Sequence, residues 1–540
     1  MGTYLNPNDT NFREFLATGT YVDKTLLIDE LNTVNIQNPE FKFVCISRPR
    51  RFGKSLAGNM LAAYYSKGAD AKKLFLPYKL SKMASFEKYL NKYNVISVDL
   101  NAMYSKWLSL KPKDKEGLPL VSYIAGLVCN EFLQQFPDLD FSKEVSVADY
   151  IQQVYAQTRE NFVIIIDEYD VMMREQVLKE EFDTYLAFLN SLFKNSELKP
   201  AISLAYITGI LPVVRDKIQS KLNTFHEYTM LDAGPFSEFT GFTSEEVQVL
   251  CEKYGCSFEE CKSWYDGYKL GAFEIYNPQA VYNAMLGKKF KSYWSATSSY
   301  GVVADKIRLN FAGTKDDVIT MLGGGRVYIN VSGYQNSMTE FGSKDDIFTC
   351  LVHLGYLAYN ETERQCYIPN REISQEWQLA IKNNKDYAET DRIIEASRNL
   401  LEQTIAGNEA AVAEALDKSH VHVTSNLSYN NEQSLQSAIY LAYIYALNGY
   451  IISKEMPAGK GYADIVYIPL DRKKPAMIVE LKRNSSPDTA LNQIRAKQYF
   501  DCLANWRGPI LFVGVNYDMA SKKHECRIER FVKEQAALYI

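Results

Sequence analysis

Four apolar runs of strand-forming residues, separated by stretches of helical pattern, constrain the fold of this chain more than any other feature. They lie within the first 231 residues, at Phe41–Ser47, Asn94–Leu100, Asn161–Asp167 and Ala201–Thr208. Strands that alternate with helices typically form a parallel sheet, and nearly continuous apolar runs are typical of strands buried on both faces. The pattern therefore predicts an α/β domain over residues 8–231, with a parallel sheet flanked by helices.

Two further regions follow this domain. Residues 232–426 are richer in helical pattern and in aromatic residues, which predicts a mostly helical middle region. Within it, Asp345–Asn370 predicts a helix and then a short hairpin, which fits a winged helix and equally a lid without a nucleic-acid role. Residues 427–540 predict a second α/β domain. Its predicted elements are helices over Ser434–Asn448, ending at Gly449, and from Pro487, and strands over residues 450–455, 462–468, 476–482 and 509–517.

Composition limits the class of protein. At 540 residues the chain is too long for a single hydrophobic core. Its formal net charge of −5 argues against a uniformly basic nucleic-acid-binding protein, but it does not exclude a local basic channel. The sequence shows neither a secretory signal nor an apolar stretch of membrane-spanning length, and its nine scattered cysteines fit a reduced compartment. These features predict a cytoplasmic protein that does not enter a membrane.

The segment SRPRRFGKSL (Ser47–Leu56) lies between an apolar run and a helical pattern, which is the context of a phosphate-binding loop. In such a loop, backbone N–H groups and the N-terminus of the following helix bind phosphate. Nucleotide contacts are expected from Arg51, Phe52, Gly53, Lys54, Ser55 and Leu56. Lys54 would reach the β- and γ-phosphates, and Ser55 would bind Mg²⁺. The standard motif has glycine where this chain has Arg48, and the alternative is a helix start that spells GKS by chance.

The third apolar run ends in Asp167 and Glu168. A carboxylate at the C-terminal end of such a strand can hold Mg²⁺, and the next one can orient and deprotonate an attacking water. We therefore expect Asp167 to bind the metal and Glu168 to act as the catalytic base. The alternative is an acidic helix N-terminus, which the helix dipole also favours. Thr208, at the end of the fourth run, is placed to sense the γ-phosphate.

Eight short segments within about the first three hundred residues carry a family resemblance. They are TYVDKTLLI (Thr20–Ile28), RPRRFGKSL (Arg48–Leu56), IIIDEYD (Ile164–Asp170), ITGI (Ile207–Ile210), GFTSEEV (Gly241–Val247), WYDGY (Trp264–Tyr268), YNP (Tyr276–Pro278) and YW (Tyr293–Trp294). In this order they resemble the AAA-ATPase-like domain of bacterial proteins that also carry a C-terminal nuclease-like domain. The resemblance implies a P-loop NTPase fold and ATP as the ligand. In that family RPRRFGKS is the usual form of the loop, so Arg48 follows family usage.

A group of charged residues marks the C-terminal region. Glu480 and Lys482 lie two apart on a predicted strand and so share one face, while Leu481 points to the other. If the neighbouring strand pairs with this one, Asp464 joins the same face. Two carboxylates and an amine could then hold one or two Mg²⁺ ions and hydrolyse a phosphodiester, with the lysine positioning or deprotonating the water. The alternative is a solvated strand face, where such acidic–basic pairs are common.

Four segments extend this group: NEQSLQSAIYLAY (Asn431–Tyr443), GKGYADIVYI (Gly459–Ile468), AMIVELKRN (Ala476–Asn484) and ALNQIRAKQY (Ala490–Tyr499). They are similar to the PD-(D/E)XK nuclease superfamily, in the branch fused to the ATPase above, which implies a restriction-endonuclease-like fold. By this resemblance Asp464, Glu480 and Lys482 form the catalytic core. Glu432 would add a carboxylate to the metal site, and Gln493 would support catalysis. Relatives often have arginine where this chain has Tyr462, so one substrate contact is expected to be weaker.

Together these sites predict an ATP-dependent or ATP-gated nuclease that uses ATP and Mg²⁺, with Mn²⁺ able to serve at the nuclease site. Its expected partner is nucleic acid, with DNA and RNA both left open, and the sequence does not indicate an oligomeric state. A competing hypothesis is a nucleotide-switched protein that holds nucleic acid or a partner without cutting it. The departure at Arg48 and the acidic net charge slightly favour that alternative. In a third hypothesis the ATPase is the output and the C-terminal domain is a scaffold.

Overall fold

In a computed structural model of the chain, the four apolar runs form neighbouring strands of one parallel sheet, as predicted. The strands are β1 (Phe43–Ser47), β2 (Asn94–Asp99), β3 (Phe162–Asp167) and β4 (Ile202–Gly209), and a short fifth strand, β5 (His226–Tyr228), pairs with β1. The order across the sheet is β2-β3-β4-β1-β5, and each pair is parallel. The C-terminal ends of β1, β4 and β3 therefore lie side by side at one edge of the sheet.

The structure describes residues 2–115, 117–175, 177–213, 224–294, 301–335, 337–382, 384–423, 432–471, 473–504 and 506–531. Contacts within the chain divide it into two units. The first unit comprises residues 1–256, 266–289 and 329–364, and the second comprises residues 257–265, 290–328 and 365–540. Parts of the predicted middle region thus belong to each unit, and the domain boundaries near residues 231 and 426 stay predictions.

Helices cover the two faces of the parallel sheet, and alternate residues of β1 show this. Phe43 and Cys45 belong to one hydrophobic cluster, whereas Val44 and Ile46 belong to the other. Fully burying a side chain such as Val or Ile contributes about 1.5–3 kcal/mol, so burial on both faces explains why the runs are continuously apolar. The α-helices of the first unit are Thr10–Ala17, Leu26–Glu30, Lys54–Tyr65, Lys72–Phe75, Phe86–Tyr89, Leu100–Leu108, Pro112–Lys115, Leu120–Gln135, Val147–Thr158, Val171–Arg174, Lys179–Phe193, Ser244–Tyr254, Pro278–Gly287 and Lys344–His353.

Two of the segments that carry the resemblance meet in the first unit. Thr243 and Glu246 form a capping box at the start of the helix Ser244–Tyr254. Lys24 Nζ lies 2.6 Å from Glu246 Oε2, and both side chains are largely buried. The TYVDKTLLI and GFTSEEV segments therefore stabilise each other. Short strands accompany this helix and form a three-stranded sheet in the order Phe242–Thr243, Phe273–Tyr276, Tyr268–Leu270.

The middle region is mostly helical, as predicted. The segment predicted as a helix and hairpin contains the helix Lys344–His353 and then the strands Ala358–Asn360 and Gln365–Tyr367. In the second unit, the strand Gln365–Tyr367 pairs antiparallel with Val327–Tyr328. The α-helices of this unit are Phe258–Tyr265, Gly301–Ile307, Thr314–Leu322, Arg371–Ile381, Ala388–Ala406, Glu409–Val423, Glu432–Ala442 and Pro487–Ala496. Within the described residues, none of the helices has the length and apolar character needed to cross a bilayer.

The C-terminal region forms a mixed five-stranded sheet. Its strands, in order across the sheet, are Tyr450–Ala458, Gly461–Pro469, Ala476–Arg483, Ile510–Asp518 and Lys523–Phe531. Only the pair Ala476–Arg483 and Ile510–Asp518 is parallel, and the helix Pro487–Ala496 connects these two strands. Four of the strands match the predicted ones. The last strand, Lys523–Phe531, was not predicted, and it pairs along its whole length with Ile510–Asp518.

The helix predicted over Ser434–Asn448 differs in detail from the observed one. The α-helix is Glu432–Ala442, and Ile444–Asn448 form a tighter 3-10 helix. Gly449 has φ −150°, which is not the left-handed conformation of a helix-ending glycine. The prediction of a helix-ending glycine was wrong, because the chain passes from the 3-10 helix directly into the strand Tyr450–Ala458.

Candidate functional sites

The predicted phosphate-binding loop connects β1 to the helix Lys54–Tyr65. Gly53 immediately precedes this helix with φ 85°, a left-handed conformation that glycine adopts without steric cost. Arg51 also has a positive φ, of 69°. Phe52 is fully buried, and its carbonyl oxygen accepts a hydrogen bond of 2.9 Å from the N–H of Gly241. The GFTSEEV segment thus holds the middle of the loop, while Ser55 is exposed and Leu56 half-buried at the start of the helix.

Lys54 lies in the buried part of this loop. Only 4% of the residue is exposed, and its Nζ donates hydrogen bonds to the carbonyl oxygens of Arg48 (3.0 Å) and Pro49 (2.9 Å). Burial lowers the pKa of Lys54, and the negative charges of Glu168 and Asp167 oppose that shift. The loop lysine and the acids at the end of β3 are thus within electrostatic reach of each other. A buried ammonium group is stable only near compensating negative charge, which the phosphates of a nucleotide would also supply.

Arg48 turns inward rather than toward the loop surface. It is fully buried, and its Nη1 donates hydrogen bonds to the carbonyl oxygens of Ser47 (2.9 Å) and Tyr228 (3.0 Å). Its backbone N–H donates to the carbonyl oxygen of Gly209 at 3.0 Å. Burial lowers the pKa of Arg48 to about 10. The arginine that replaces the standard glycine therefore fastens the base of the loop to the neighbouring strands β4 and β5.

The predicted metal ligand and the predicted sensor lie in direct contact. Asp167 is buried at the end of β3, and its Oδ1 accepts a hydrogen bond from Thr208 Oγ1. The same oxygen accepts a hydrogen bond of 3.1 Å from the N–H of Glu168. The sheet order explains this contact, because β4 lies between β1 and β3. A carboxylate in this position fits a divalent cation shared with a nucleotide at the loop.

Glu168, the predicted base, follows Asp167 with φ 54°. Its carboxylate forms an ion pair with Arg174, whose side chain is 8% exposed. Burial raises the pKa of Glu168, and the positive charges of Lys54 and Arg174 partly offset this. Arg174 also lies 3.2 Å from Asp170, measured from Nε to Oδ2. The sequence did not reveal Arg174, because the bend between β3 and the helix Val171–Arg174 brings it to Glu168 without a regular spacing.

The C-terminal carboxylates come together as predicted from the sequence. The strands Gly461–Pro469 and Ala476–Arg483 pair antiparallel at Ile465 and Val479, and Asp464 and Glu480 are the next residues toward the site. Asp464 Oδ2 accepts a hydrogen bond of 2.7 Å from the N–H of Leu481. The two predicted metal ligands are thus neighbours on adjacent strands.

Glu480 is the centre of this cluster and is 1% exposed. Its Oε1 accepts hydrogen bonds from Lys482 Nζ, at 2.9 Å, and from Gln493 Nε2. Gln493 comes from the helix Pro487–Ala496 and also donates to the Tyr499 hydroxyl, at 3.1 Å. The structure therefore brings Asp464, Glu480, Lys482 and Gln493 into one cluster.

The other oxygen of Glu480 points to a missing partner. Glu480 Oε2 is buried and makes no hydrogen bond within the described part of the chain. Burial and the negative charge of Asp464 raise the pKa of Glu480 to about 7, although Lys482 opposes both effects. A divalent cation would relieve the burial and the repulsion together, and Mg²⁺ is usually held by one or two carboxylates with waters. The residues present therefore fit a metal.

Glu432, the third carboxylate predicted to bind the metal, stays a prediction. The helix Glu432–Ala442 begins at Glu432, but the side chain of Glu432 lies outside the described part of the structure. Among the side chains that are described, no group of three or more Asp, Glu, His or Cys could hold a metal. Gln436, which sequence reasoning missed, donates a hydrogen bond of 2.9 Å from Nε2 to the carbonyl oxygen of Asp464. Its position four residues after Glu432, on the same helix face, was the available signal.

Comparisons with known proteins match both halves of the chain. Residues 10–219 match a family model described as a predicted AAA-ATPase, and residues 430–526 match the PD-(D/E)XK nuclease superfamily. The architecture implied by the resemblance, and the fold class of each domain, are thereby confirmed. A protein of Azotobacter chroococcum mcd 1, described as "Uncharacterized protein in vnfD 5'region", is 24% identical over 293 residues. That match covers 53% of this chain and 52% of the relative, so the chain spans about half the length of this curated relative.

Proposed function

Because this chain carries an AAA-ATPase-like domain ahead of a PD-(D/E)XK nuclease-superfamily domain, we propose that it cleaves phosphodiester bonds in nucleic acid under the control of ATP. The observation that carries the cleavage activity is the buried carboxylate of Glu480. One of its oxygens is held by Lys482 and Gln493, and the other has no partner within the described residues. Such an arrangement fixes the carboxylate while leaving one oxygen for a cation.

In the proposed ATPase site, residues 51–56 and the Lys54 ammonium group bind the phosphates of ATP. Asp167 and Ser55 would hold Mg²⁺, which neutralises phosphate charge. Glu168 accepts the proton of the attacking water, and Thr208 reports on the γ-phosphate. The contact of Thr208 with Asp167 and the proximity of Lys54 to Glu168 support these roles, since all four groups lie at one edge of the sheet.

In the proposed nuclease site, Asp464 and Glu480 would hold Mg²⁺ or Mn²⁺. The cation supplies a polarised phosphate and an activated water. Lys482 positions that water, and Gln493 keeps the Glu480 carboxylate in one orientation. The hydrogen bond from the N–H of Leu481 fixes Asp464 in the same way, so that neither carboxylate needs to reorganise when a cation arrives.

A nuclease panel with purified full-length protein tests the proposal. Single- and double-stranded DNA and RNA would each be incubated with Mg²⁺ or Mn²⁺, with and without ATP. We expect cleavage of at least one substrate that depends on ATP and is lost in Glu480→Ala. Cleavage that persists in Glu480→Ala would place the activity elsewhere. Metal-dependent binding without cleavage of any substrate would instead favour the nucleotide-switched binding protein.

A further inference from the structure

Arg174 occupies a position in the first unit that the roles above do not explain. It ends the short helix Val171–Arg174 and reaches back toward β3. Its Nη2 forms the ion pair with Glu168, and its Nε lies 3.2 Å from Asp170. Arginine can hold two carboxylates at once because its guanidinium presents several donors in a fixed plane. Arg174 therefore bridges two acids of the IIIDEYD segment.

The second acid of this bridge is anchored to another part of the ATPase site. Asp170 is fully buried, and its Oδ2 accepts hydrogen bonds from the N–H groups of Ile210 (3.0 Å) and Leu211 (2.9 Å). These two residues directly follow β4, which ends beside Thr208. Through Asp170, Arg174 is thus fixed to the loop that directly follows the predicted γ-phosphate sensor.

Glu168, the other acid that Arg174 contacts, depends on its surroundings to hold its conformation. Glu168 is a non-glycine residue with φ 54°, a conformation that costs about 1 kcal/mol or more and persists only when its surroundings impose it. The side chain of Glu168 is 19% exposed, so it is not held by packing alone. Without Arg174, the carboxylate would be free to rotate toward solvent.

We propose that Arg174 is a positioning residue for ATP hydrolysis, which holds the Glu168 carboxylate in place relative to the loop that follows β4. The proposal rests on the ATPase activity proposed above. In the step concerned, the oxygen of a water bonds to the γ-phosphorus while Glu168 accepts a proton from that water. The bond between the γ-phosphorus and the oxygen bridging to the β-phosphate breaks, and ADP and phosphate leave. Arg174 touches neither the water nor the phosphates in this scheme and acts through Glu168.

The test compares Arg174→Ala, Arg174→Lys and the wild type as full-length proteins. Steady-state ATP turnover gives kcat and KM, and a fluorescent ATP analogue gives the nucleotide Kd. We expect Arg174→Ala to lower kcat at least tenfold while KM and Kd change less than threefold. Arg174→Lys should recover part of kcat, because a lysine can pair with Glu168 but cannot bridge both acids. Arg13→Ala, which removes an ion pair with Asp9 at the start of the first helix, is the matched control and should leave kcat unchanged.

Several outcomes would overturn the proposal. A kcat of Arg174→Ala within twofold of the wild type, or above it, would remove the positioning role. Equal losses of kcat and nucleotide binding would indicate a structural role instead. If Arg174→Ala does not fold, Arg174→Gln keeps most of the side-chain volume, and the same criteria apply to it. If Lys54→Ala turns over ATP as fast as the wild type, both the ATPase assignment and the role of Arg174 are overturned. If Lys54→Ala loses turnover but Arg174→Ala does not, only the role of Arg174 is overturned.

Discussion

The two proposed catalytic carboxylates, Glu168 near the phosphate-binding loop and Glu480 in the C-terminal carboxylate cluster, differ in how completely the protein itself pairs them. At the loop, Glu168 pairs with Arg174, and the Lys54 ammonium group donates to two carbonyl oxygens. In the cluster, Lys482 pairs with one oxygen of Glu480, but the other oxygen is buried without a hydrogen-bond partner in the described residues, and Asp464 repels the carboxylate. An acid that pairs with its own base can stay in place without a ligand, whereas two neighbouring carboxylates with one pairing lysine cost stability until a cation arrives. We therefore infer that Glu168 and Lys54 are held in place before a ligand binds, and we propose that the second site is completed by a metal ion.

The largest expected effect concerns Glu168, the proposed catalytic base directly after β3. Glu168→Gln removes the proton acceptor but keeps the side-chain volume, so kcat for ATP should fall by about 10²- to 10⁴-fold, the usual contribution of a general base. Nucleotide affinity should be retained, because the loop and Lys54 are unchanged. Turnover and fluorescent-nucleotide binding measure the two quantities, and Glu175→Gln, an exposed neighbour, is the control. Parallel losses of turnover and binding would show that Glu168 supports the loop rather than the chemistry.

The next effect tests whether Arg48 stabilises the phosphate-binding loop in the absence of a ligand. Arg48→Gly restores the standard motif but removes a buried guanidinium and leaves the carbonyl oxygens of Ser47 and Tyr228 without their donor. We expect a loss of about 3 kcal/mol in stability, since each buried polar group left unpaired costs 1–3 kcal/mol. Thermal unfolding of Arg48→Gly measures this loss of stability, and Arg50→Gly, which removes an exposed arginine, is the control. A variant as stable as the wild type would mean that the inward arginine is dispensable.

A smaller effect tests whether the cluster is completed by metal. Saturating Mg²⁺ should raise the unfolding midpoint of the wild type by about 2–4 °C, because a ligand that binds only the folded state stabilises it. Glu480→Gln should abolish this increase, and Glu525→Gln, an exposed acid on the last strand of the same sheet, should keep it. The measurement is a thermal scan in chelator and in Mg²⁺ without nucleotide. Equal shifts in the wild type and in Glu480→Gln would place the metal at another site.

The smallest effect concerns Tyr462, an exposed residue near the carboxylate cluster. Tyr462 is 65% exposed and lies two residues before Asp464 on the same strand. Tyr462→Arg introduces a phosphate contact, which should tighten nucleic-acid binding about fivefold and steepen its salt dependence by about one unit of slope. Fluorescence anisotropy at several salt concentrations measures the affinity and its salt dependence, and a chelator in the buffer prevents cleavage. Tyr328→Arg, at an exposed tyrosine elsewhere in the second unit, gives the effect of charge alone.

The strands and most candidate residues could be predicted because their signals are local. An apolar run, a loop spelled RPRRFGKS and an acidic pair at a strand end each lie within ten residues. The convergence of Asp464 and Glu480 could also be predicted, because pairing between neighbouring strands is a short-range rule. What the structure adds for these residues is their surroundings, such as the buried and unmatched oxygen of Glu480.

The remaining features depend on contacts that no local pattern encodes. No local pattern indicates that the Arg48 side chain turns inward, where carbonyl oxygens of β1 and β5 accept its donors. Arg174 reaches Glu168 only through the bend after β3. Residues 232–426 are divided between the two units. This division depends on tertiary packing, which contributes more to the stability of helices than helix propensity does. The assigned roles of the site residues stay predictions.

The inward Arg48 has a consequence for how fast a nucleotide can be captured. Its guanidinium, sealed beneath the loop, cannot leave its three backbone carbonyl acceptors without exposing buried polar groups to an apolar interior. The loop should therefore keep one shape in solution, and an arriving ligand would not have to wait for it to rearrange. Rapid mixing should then show a single association phase whose observed rate rises linearly with ligand concentration, without the plateau that a preceding isomerisation imposes.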